Sequence, residues 1–320
     1  MVNDGTCHIA PHLCTHPTKD ANQQAASLVN WQQEYDQISN GRFLGQIRER
    51  RFSSVHVFRE DSNRALKQQC RVEEGGVWLG ISVENKSLHI NHSQLGADKL
   101  LVRQGGVDFD LITPEAFSIY GMVLKQDFVQ QLKEQLELDD FKGQELYLSG
   151  LNEHHIRQLK YYLGILLEPS QTRWSCETHQ SVVKDVLTEL FSLNLQTSSS
   201  SPLKATPNAG NQRQVVMNRV QQYLENQDYR SPITVTELCD AVHVSRRTLQ
   251  YTFEACCDTS PKQFIQRMRL NQVRRTLQDP QDSRNIAEIA FDFGFFHLGQ
   301  FGQSYRKLFG ESPTETRQKI

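Results

Sequence analysis

Arg247, Gln250 and Tyr251 are spaced to share one face of a helix whose opposite face carries Leu249 and Phe253, four residues apart. An Arg guanidinium matches O6 and N7 of guanine, and a Gln amide matches N6 and N7 of adenine. A face holding both is equipped to read base edges in a DNA duplex. Arg246, at the start of that helix, is better placed for a phosphate. A second set lies fifty residues on: Leu298, Gly299, Gln300 and Gln303 face away from Phe301, Tyr305 and Leu308. Leu298 suits a thymine methyl, Gly299 permits close backbone approach, and the two glutamines suit adenine. Arg306 and Lys307 suit phosphates.

The elements needed to position these residues are written twice. Thr234-Val-Thr-Glu237 and Asn285-Ile-Ala-Glu288 both have the form of a capping box, in which a short polar side chain and a Glu three residues later satisfy the first amides of a helix. An apolar pair follows each, then a turn at His243-Val244 or Gly294-Phe295, then the helices described above. His243 occupies the place of Gly294, a position that often needs positive φ, and histidine is among the residues that tolerate it. It is therefore read as a turn residue and not as a ligand or base. Ser245 caps the first reading helix. The pattern is two helix-turn-helix units, whose second helices enter a DNA major groove. Between them Pro261 to Gln278 is helical by Phe264, Ile265, Met268, Val273 and Leu277. At 1.5 Å per residue it spans roughly 27 Å, enough to hold two reading helices about one DNA turn apart. The alternative is that one unit reads DNA and the other only packs.

A chain of 320 residues with 38% hydrophobic and 22% charged residues is long enough for two globular domains. No stretch approaches the eighteen-odd apolar residues of a membrane span, and the N-terminus lacks a basic-then-apolar leader, so a cytoplasmic location is the default expectation. The net charge is −2. From Asn211 onward there are fifteen Lys/Arg against twelve Asp/Glu, leaving twenty against twenty-five before it. A mildly basic C-terminal part on an acidic N-terminal part suits DNA binding joined to sensing. The seven cysteines form no CxxC, and the adjacent Cys256-Cys257 reads as packing before redox chemistry.

Residues 1–22 read as a mobile tail, although Cys7-His8, His12, Cys14 and His16 are metal-ligand types crowded into ten residues. Ala25, Leu28, Trp31, Tyr35 and Ile38 predict an amphipathic helix over 24–38. From Phe43 to Leu124 apolar residues alternate, with Gly75-Gly76, Asn85-Lys86 and Gly105-Gly106 at hairpin positions, which predicts a small β-barrel or sandwich. Helical spacing returns at Phe128-Leu132-Leu136, at Ile156 to Leu166 and at 175–195. The stripe Val182, Val183, Val186, Leu187, Leu190 and Phe191 is core by default and a dimer interface by the sharper reading. Ser, Pro, Gly and Asn dominate 197–212, a flexible linker by composition. The expected fold is thus α+β: a sensing or dimerisation domain at 23–196, a linker at 197–212, and an all-α tandem helix-turn-helix domain at 213–320.

This arrangement resembles the AraC/XylS family of bacterial transcription regulators over the last hundred residues. Leu238, Ser245, Leu249, Phe253, Pro261-x-x-Phe-Ile265, Arg269-Leu270, Ile289-Ala290-x-x-x-Gly294-Phe295, Phe301, Tyr305-Arg306-Lys307, Phe309-Gly310, Pro313 and Arg317 carry the resemblance. Two positions depart: Thr316 stands where the family commonly has an aromatic, and Leu298-Gly299 are unusual at reading positions. The rest of the chain is similar to the branch of that family regulating ethanolamine-utilisation operons. Trp31-Gln-Gln-x-Tyr-Asp-Gln-Ile38, Gly41-x-Phe43, Val57-Phe-Arg-Glu60, Trp78-x-Gly-Ile81 and Gly105-Gly-x-x-Phe109-x-Leu-x-Thr-Pro114 carry that likeness. The resemblance implies an activator partnered by duplex DNA, RNA polymerase and a small-molecule effector, ethanolamine with adenosylcobalamin, with a homodimer also possible. A pocket for an ethanolammonium ion would want a carboxylate and an aromatic wall; by type alone Glu73, Glu74, Asp108 and Trp78 qualify. The alternatives are a regulator whose N-terminal half only dimerises or meets a protein, and an enzyme fused to a DNA-binding tail. For the last, Cys7, Cys14 and Cys70 supply no four-thiolate cluster, and no GxSxG, HExxH or P-loop pattern occurs, so no enzymatic activity is expected.

Overall fold

The computed structural model describes residues 12–29, 31–91, 93–136, 148, 151–168, 176–198, 209–225, 227, 233–257 and 259–319. Eleven strands among them form two antiparallel sheets. In chain order they are β1 (Cys14–Thr18), β2 (Trp31–Gln37), β3 (Gly45–Arg51), β4 (Val55–Ser62), β5 (Leu66–Val72), β6 (Val77–Ser82), β7 (Leu88–Ile90), β8 (Ser93–Leu95), β9 (Leu101–Gln104), β10 (Asp108–Thr113) and β11 (Phe117–Leu124). One sheet runs β1-β3-β4-β11-β6-β9 and the other β2-β5-β10-β7-β8. They face each other across Tyr35, Ile47, Phe58, Val72, Trp78, Phe109, Leu111 and Ile119. Among the described residues no hydrogen-bonded closure joins the sheets into a barrel, so of the two expected forms the structure shows the sandwich. At its centre Gly80 and Gly121 are cross-strand partners. A Cβ on Gly80 would lie 2.3 Å from the Trp78 ring and one on Gly121 2.1 Å from the Phe58 ring, so the aromatic core requires both glycines.

The other face of the six-stranded sheet is also covered. Val57, Leu79, Ile81, Tyr120 and Met122 pack on Phe128 and Leu132 of α2 (Gln126–Leu136), Leu159 and Leu163 of α3 (Glu153–Leu166), and Leu187 and Phe191 of α4 (Cys176–Ser198). Burial on both faces explains why every residue of β6 and β11 is buried. Arg50 ties sheet to helix: its Nε donates to Leu166 O at 2.6 Å, satisfying a carbonyl at the end of α3. The stripe on α4 supplies Val183, Leu187, Leu190 and Phe191 to this core, so its apolar face is used within the chain.

Two expectations fail here. Residues 24–38 are not one helix: a five-residue α1 (Ala21–Ala25) precedes β2, which pairs along its length with β5. Trp31 and Tyr35 fit both a helical and an alternating period. The inward positions between and after them, Gln33 and Gln37, are polar and disguise the alternation. Nor are residues 14–22 a free tail. β1 pairs with β3, and Asp20 caps α1 by accepting from Asn22 N and Gln23 N. His16 contacts Glu49 at 3.3 Å, while Cys7 and His8 lie outside the described residues.

The remaining helices are α5 (Ala209–Glu225), α6 (Val235–Val242), α7 (Arg246–Cys257), α8 (Pro261–Leu277), α9 (Ile286–Asp292), α10 (Leu298–Phe309) and α11 (Pro313–Arg317). α4 thus extends to Ser198 and α5 begins at Ala209, while most of the expected linker, 199–208, lies outside the described residues. α8 is the spine. Its Phe264, Ile265 and Met268 join the core of α5, α6 and α7, and its Leu270, Val273 and Leu277 join that of α9 and α10. Cys256 and Cys257 belong to the first core, and burial pushes the Cys257 thiol up to about 12, leaving it protonated and unreactive.

Candidate nucleic-acid interface

Both capping boxes form. Glu237 N donates to Thr234 Oγ1 and Thr234 N to Glu237 Oε2; Asn285 and Glu288 repeat the exchange. His243 closes α6 in the left-handed region at φ 56°, and Gly294 takes φ 78° after α9. Ser245 Oγ accepts from Thr248 N at 3.1 Å, starting α7. Leu249 and Phe253 are wholly buried, which turns Arg246, Arg247 and Tyr251 fully outward and leaves Gln250 half-exposed. Arg247 Nη2 donates to Tyr251 Oη at 3.3 Å, with the guanidinium 5.5 Å from that ring. The contact holds the Arg extended along the helix, aimed outward. Gln250 donates to Glu254 and Arg246 to Thr236, bonds between exposed side chains that a base or phosphate can replace.

On α10, Phe301, Tyr305 and Leu308 are buried, and Leu298, Gly299, Gln300, Gln303, Arg306 and Lys307 are all exposed. Nothing lies within 4 Å of a Cβ placed on Gly299, so its surroundings are open. Phe291, Phe296 and Leu298 are exposed apolar residues around this helix, giving the second unit a greasier outer face than the first.

The sequence reading missed what lies between the units. A cleft of about 530 Å³ is lined by Thr236 and Arg246 from the first, His297 and Gln300 from the second, and Lys262, Gln266 and Arg269 of α8. Among the described residues its lining includes three cations, Arg246, Lys262 and Arg269, and no carboxylate. Residues 262, 266 and 269 recur at helical spacing on one side of α8, a signal present in the sequence but easily taken for an ordinary solvated face.

The opposite side of α8, about half a turn round, binds the sandwich. Asn271 is 1% exposed; its Oδ1 accepts from Gln37 N and its Nδ2 donates to Gln37 O, both at 3.0 Å, pairing with β2 as a neighbouring strand would. Arg274 bridges Asp20 at 2.6 Å and Glu311 at 2.9 Å, and Arg275 bridges Asp36 at 2.9 Å and Glu34 at 2.8 Å. Gln37 Nε2 donates to Leu308 O at 2.6 Å, and Gly41 N to Leu308 O at 2.9 Å. The carbonyl end of α10 is thus capped by the sandwich. Thr316, the departure from the family pattern, fits this network. It is 1% exposed, accepts from Tyr305 Oη at 2.9 Å and donates to Glu311 at 2.8 Å, a polar plug where an aromatic would pack.

The expected effector residues do not converge. Trp78 is buried between the sheets, stacked on Phe109 at 5.2 Å. Glu73 and Glu74 form the exposed β5–β6 turn. Asp108 borders a cleft between the five-stranded sheet and α5.

Two outward-facing helices on a shared spine, each preceded by a capped helix and a tight turn, define a tandem helix-turn-helix architecture. Residues 238–319 match the family model described as "Helix-turn-helix domain". The XylDLEGF operon transcriptional activator of Pseudomonas putida is 30% identical over 171 residues, 51% of this chain and 50% of that one. The XylDLEGF operon transcriptional activator 2, also of Pseudomonas putida, is 39% identical over 99 residues, 31% of this chain and 62% of that one. The chain spans about half the length of the first of these. Among solved structures, the AraC-like transcriptional activator CuxR aligns with 14% identity over 88% of this chain and 100% of that one, at a TM-score of 0.40. The chain is thus similar to transcriptional activators over part of its length, and its residues 238–319 form a helix-turn-helix domain. Among the described residues no helix is long and apolar enough to cross a membrane.

Proposed function

We propose that the protein is an effector-responsive transcription activator. One chain reads two successive major-groove segments, and the sandwich sets how the second unit is presented. The observation that carries this is α8 itself: both recognition helices hang from it, a cleft lined by Arg246, Lys262 and Arg269 lies on one side and the sandwich on the other. The cleft is suited to the phosphates that run between two adjacent grooves. Activation, as opposed to repression, is supported by the names of the relatives, and an activator at a promoter has RNA polymerase as its partner. A single protected region of two half-sites about 10 base pairs apart, bound by one chain per DNA, is the expected footprint. Protection of a single groove segment would leave the second unit as packing alone. A homodimer on paired sites of this kind is compatible with the fold.

For the effector, the resemblance favours ethanolamine with adenosylcobalamin. Four open clefts among the described residues measure about 680, 530, 650 and 590 Å³. These sizes suit small ligands, which occupy pockets of roughly 300–1,000 Å³. Thermal-shift measurements on the full chain against ethanolamine, related amines and cobalamins test the assignment. A shift with none of them would remove it and leave the reading of a regulator that answers to a protein partner.

A further inference from the structure

The outer face of the five-stranded sheet and α5 enclose the largest of these clefts, about 680 Å³. The sheet contributes Glu34, Asp108 and Asp110, and α5 contributes Asn218, Gln221 and Gln222, so neither domain builds the cavity alone. Two of the three carboxylates already have cations: Asp108 has Arg71 at 3.3 Å, and Glu34 has Arg275 of α8 at 2.8 Å. Asp110 has none. It is 4% exposed, it forms no ion pair among the described residues, and its Oδ2 meets no hydrogen-bond donor. Lys67 and Arg71 flank it on the neighbouring strand, opposite Ile112 and Asp108, and neither forms a salt bridge to Asp110 among the described residues. A buried carboxylate oxygen without donor or counter-ion is costly, and a cation bearing N–H groups removes that cost.

The geometry points to this interdomain cleft as the binding site of a small organic ammonium ion, seated on Asp110 with its remaining polar groups on the α5 amides. The inference rests on the reading of the sandwich as an effector sensor and gives that sensor a place and a ligand class. The cleft couples directly to the DNA-binding half. Its ligand would touch α5, the first helix of that half, and would sit beside Glu34, which holds Arg275 on the spine. Occupancy therefore tightens the docking of sandwich on spine, and does so without any contact to the reading helices.

The test is calorimetric titration of the full chain with ethanolammonium chloride, with ethylene glycol as the neutral counterpart. Saturable binding of the ammonium alone is expected. Asp110→Asn, which keeps the shape and removes the charge, should weaken it at least tenfold. Gln222→Arg, at an exposed position on α5, should do the same by placing a guanidinium in the cleft, and it guards against misfolding of the buried variant. Binding of equal strength by both variants would overturn the placement while leaving an effector-responsive regulator intact. Equal binding of ethylene glycol would overturn the ligand class. No ammonium binding, with Asp110→Asn melting higher than the parent, would mark Asp110 as a strained core residue and overturn the site. In every case the footprint on DNA is measured separately, so failure here is distinguishable from failure of the DNA-reading proposal.

Discussion

The two helix-turn-helix units have the same skeleton and different attachments: the core of the first takes in Ile38 and Ile112 of the sandwich, whereas the second is hydrogen-bonded and ion-paired to it. In the first, α7 carries Arg247, Gln250 and Tyr251 outward, and its hydrogen bonds stay within the unit. In the second, α10 carries a less polar face, while its carbonyl end is held by Gln37 and Gly41 of the sandwich. Beneath it Arg274 lies between Asp20 and Glu311. On the proposed function, the first unit discriminates and the second is positioned. The proposed effector response would then act on DNA binding through the second unit and leave base recognition by the first unchanged.

The largest expected effect breaks that attachment. Arg274→Ala leaves the Asp20 and Glu311 carboxylates facing each other in a site where all three side chains are at most 12% exposed. Removing one partner of a buried ionic network costs about 3–5 kcal/mol. Urea denaturation should show that loss, and hydrogen exchange should show it concentrated in α10 and α11, with α6 and α7 protected as before. The triple change Arg274→Met, Asp20→Asn and Glu311→Gln should recover most of the stability. Equal deprotection of both units would refute the asymmetry.

The pH dependence separates attachment from sandwich. Burial works to raise Asp20 and Glu311, but Arg274, with Lys319 beside Glu311, overrides it and holds both below the ordinary carboxylate range. Depressed carboxylates stabilise above their unfolded values, and that stability is lost as the pH falls through the folded ones. Acid below about pH 4 should thus release the second unit first. Glu60, inside the sandwich, has the opposite sign. Burial raises it to about 7, against the hydrogen bonds from Gln24 and Tyr35. A raised carboxyl stabilises below its unfolded value, and the contribution disappears as the pH rises through 7. Thermal melts between pH 5 and 8 should show the sandwich losing about 3 kcal/mol. Glu60→Gln should flatten that slope while leaving the acid release of the second unit in place.

Base reading gives the next effect. Arg247→Ala should cost about 1–3 kcal/mol on the true operator and relax one base position. Leu298→Ala, its counterpart in the second unit, should cost under about 1 kcal/mol, the scale of a lost methyl contact. Gel-shift titrations on operator and random duplexes measure both. Equal losses for Arg247→Ala on the two duplexes would reduce α7 to a phosphate binder.

The DNA-binding half was legible because its signals are local: caps, turns and apolar spacing all lie within a dozen residues of the helices they define. Even the positive φ of His243 followed from its alignment with Gly294. The sandwich was legible where strands alternate cleanly, as at Val55–Val57 and Phe109–Leu111, and not where polar residues point inward, as in β2. The join between domains was invisible. Asn271, Arg274 and Arg275 look like the solvated side of a helix, and their partners Gln37, Asp20 and Asp36 lie more than two hundred positions away. Asp110 was passed over for the same reason, because its solitude depends on which strands and helices surround it.

The smallest effect exchanges the two turns. At φ 56° and 78° both turn residues occupy a region that costs most L-residues roughly 1–2 kcal/mol. His243→Gly should therefore be neutral or slightly stabilising, the relief of strain offset by the freer unfolded chain. Gly294→His should cost about 1 kcal/mol. A Cβ on Gly294 would meet only Arg269 Nη1, at 3.5 Å, which is ordinary contact. Any larger loss would then come from disturbing Arg269, which lines the cationic cleft. Paired measurements of stability and operator affinity separate the two causes. Backbone strain alone lowers stability and leaves affinity per folded molecule unchanged. A displaced Arg269 lowers affinity on every duplex sequence, as a cleft holding phosphate between the two units requires.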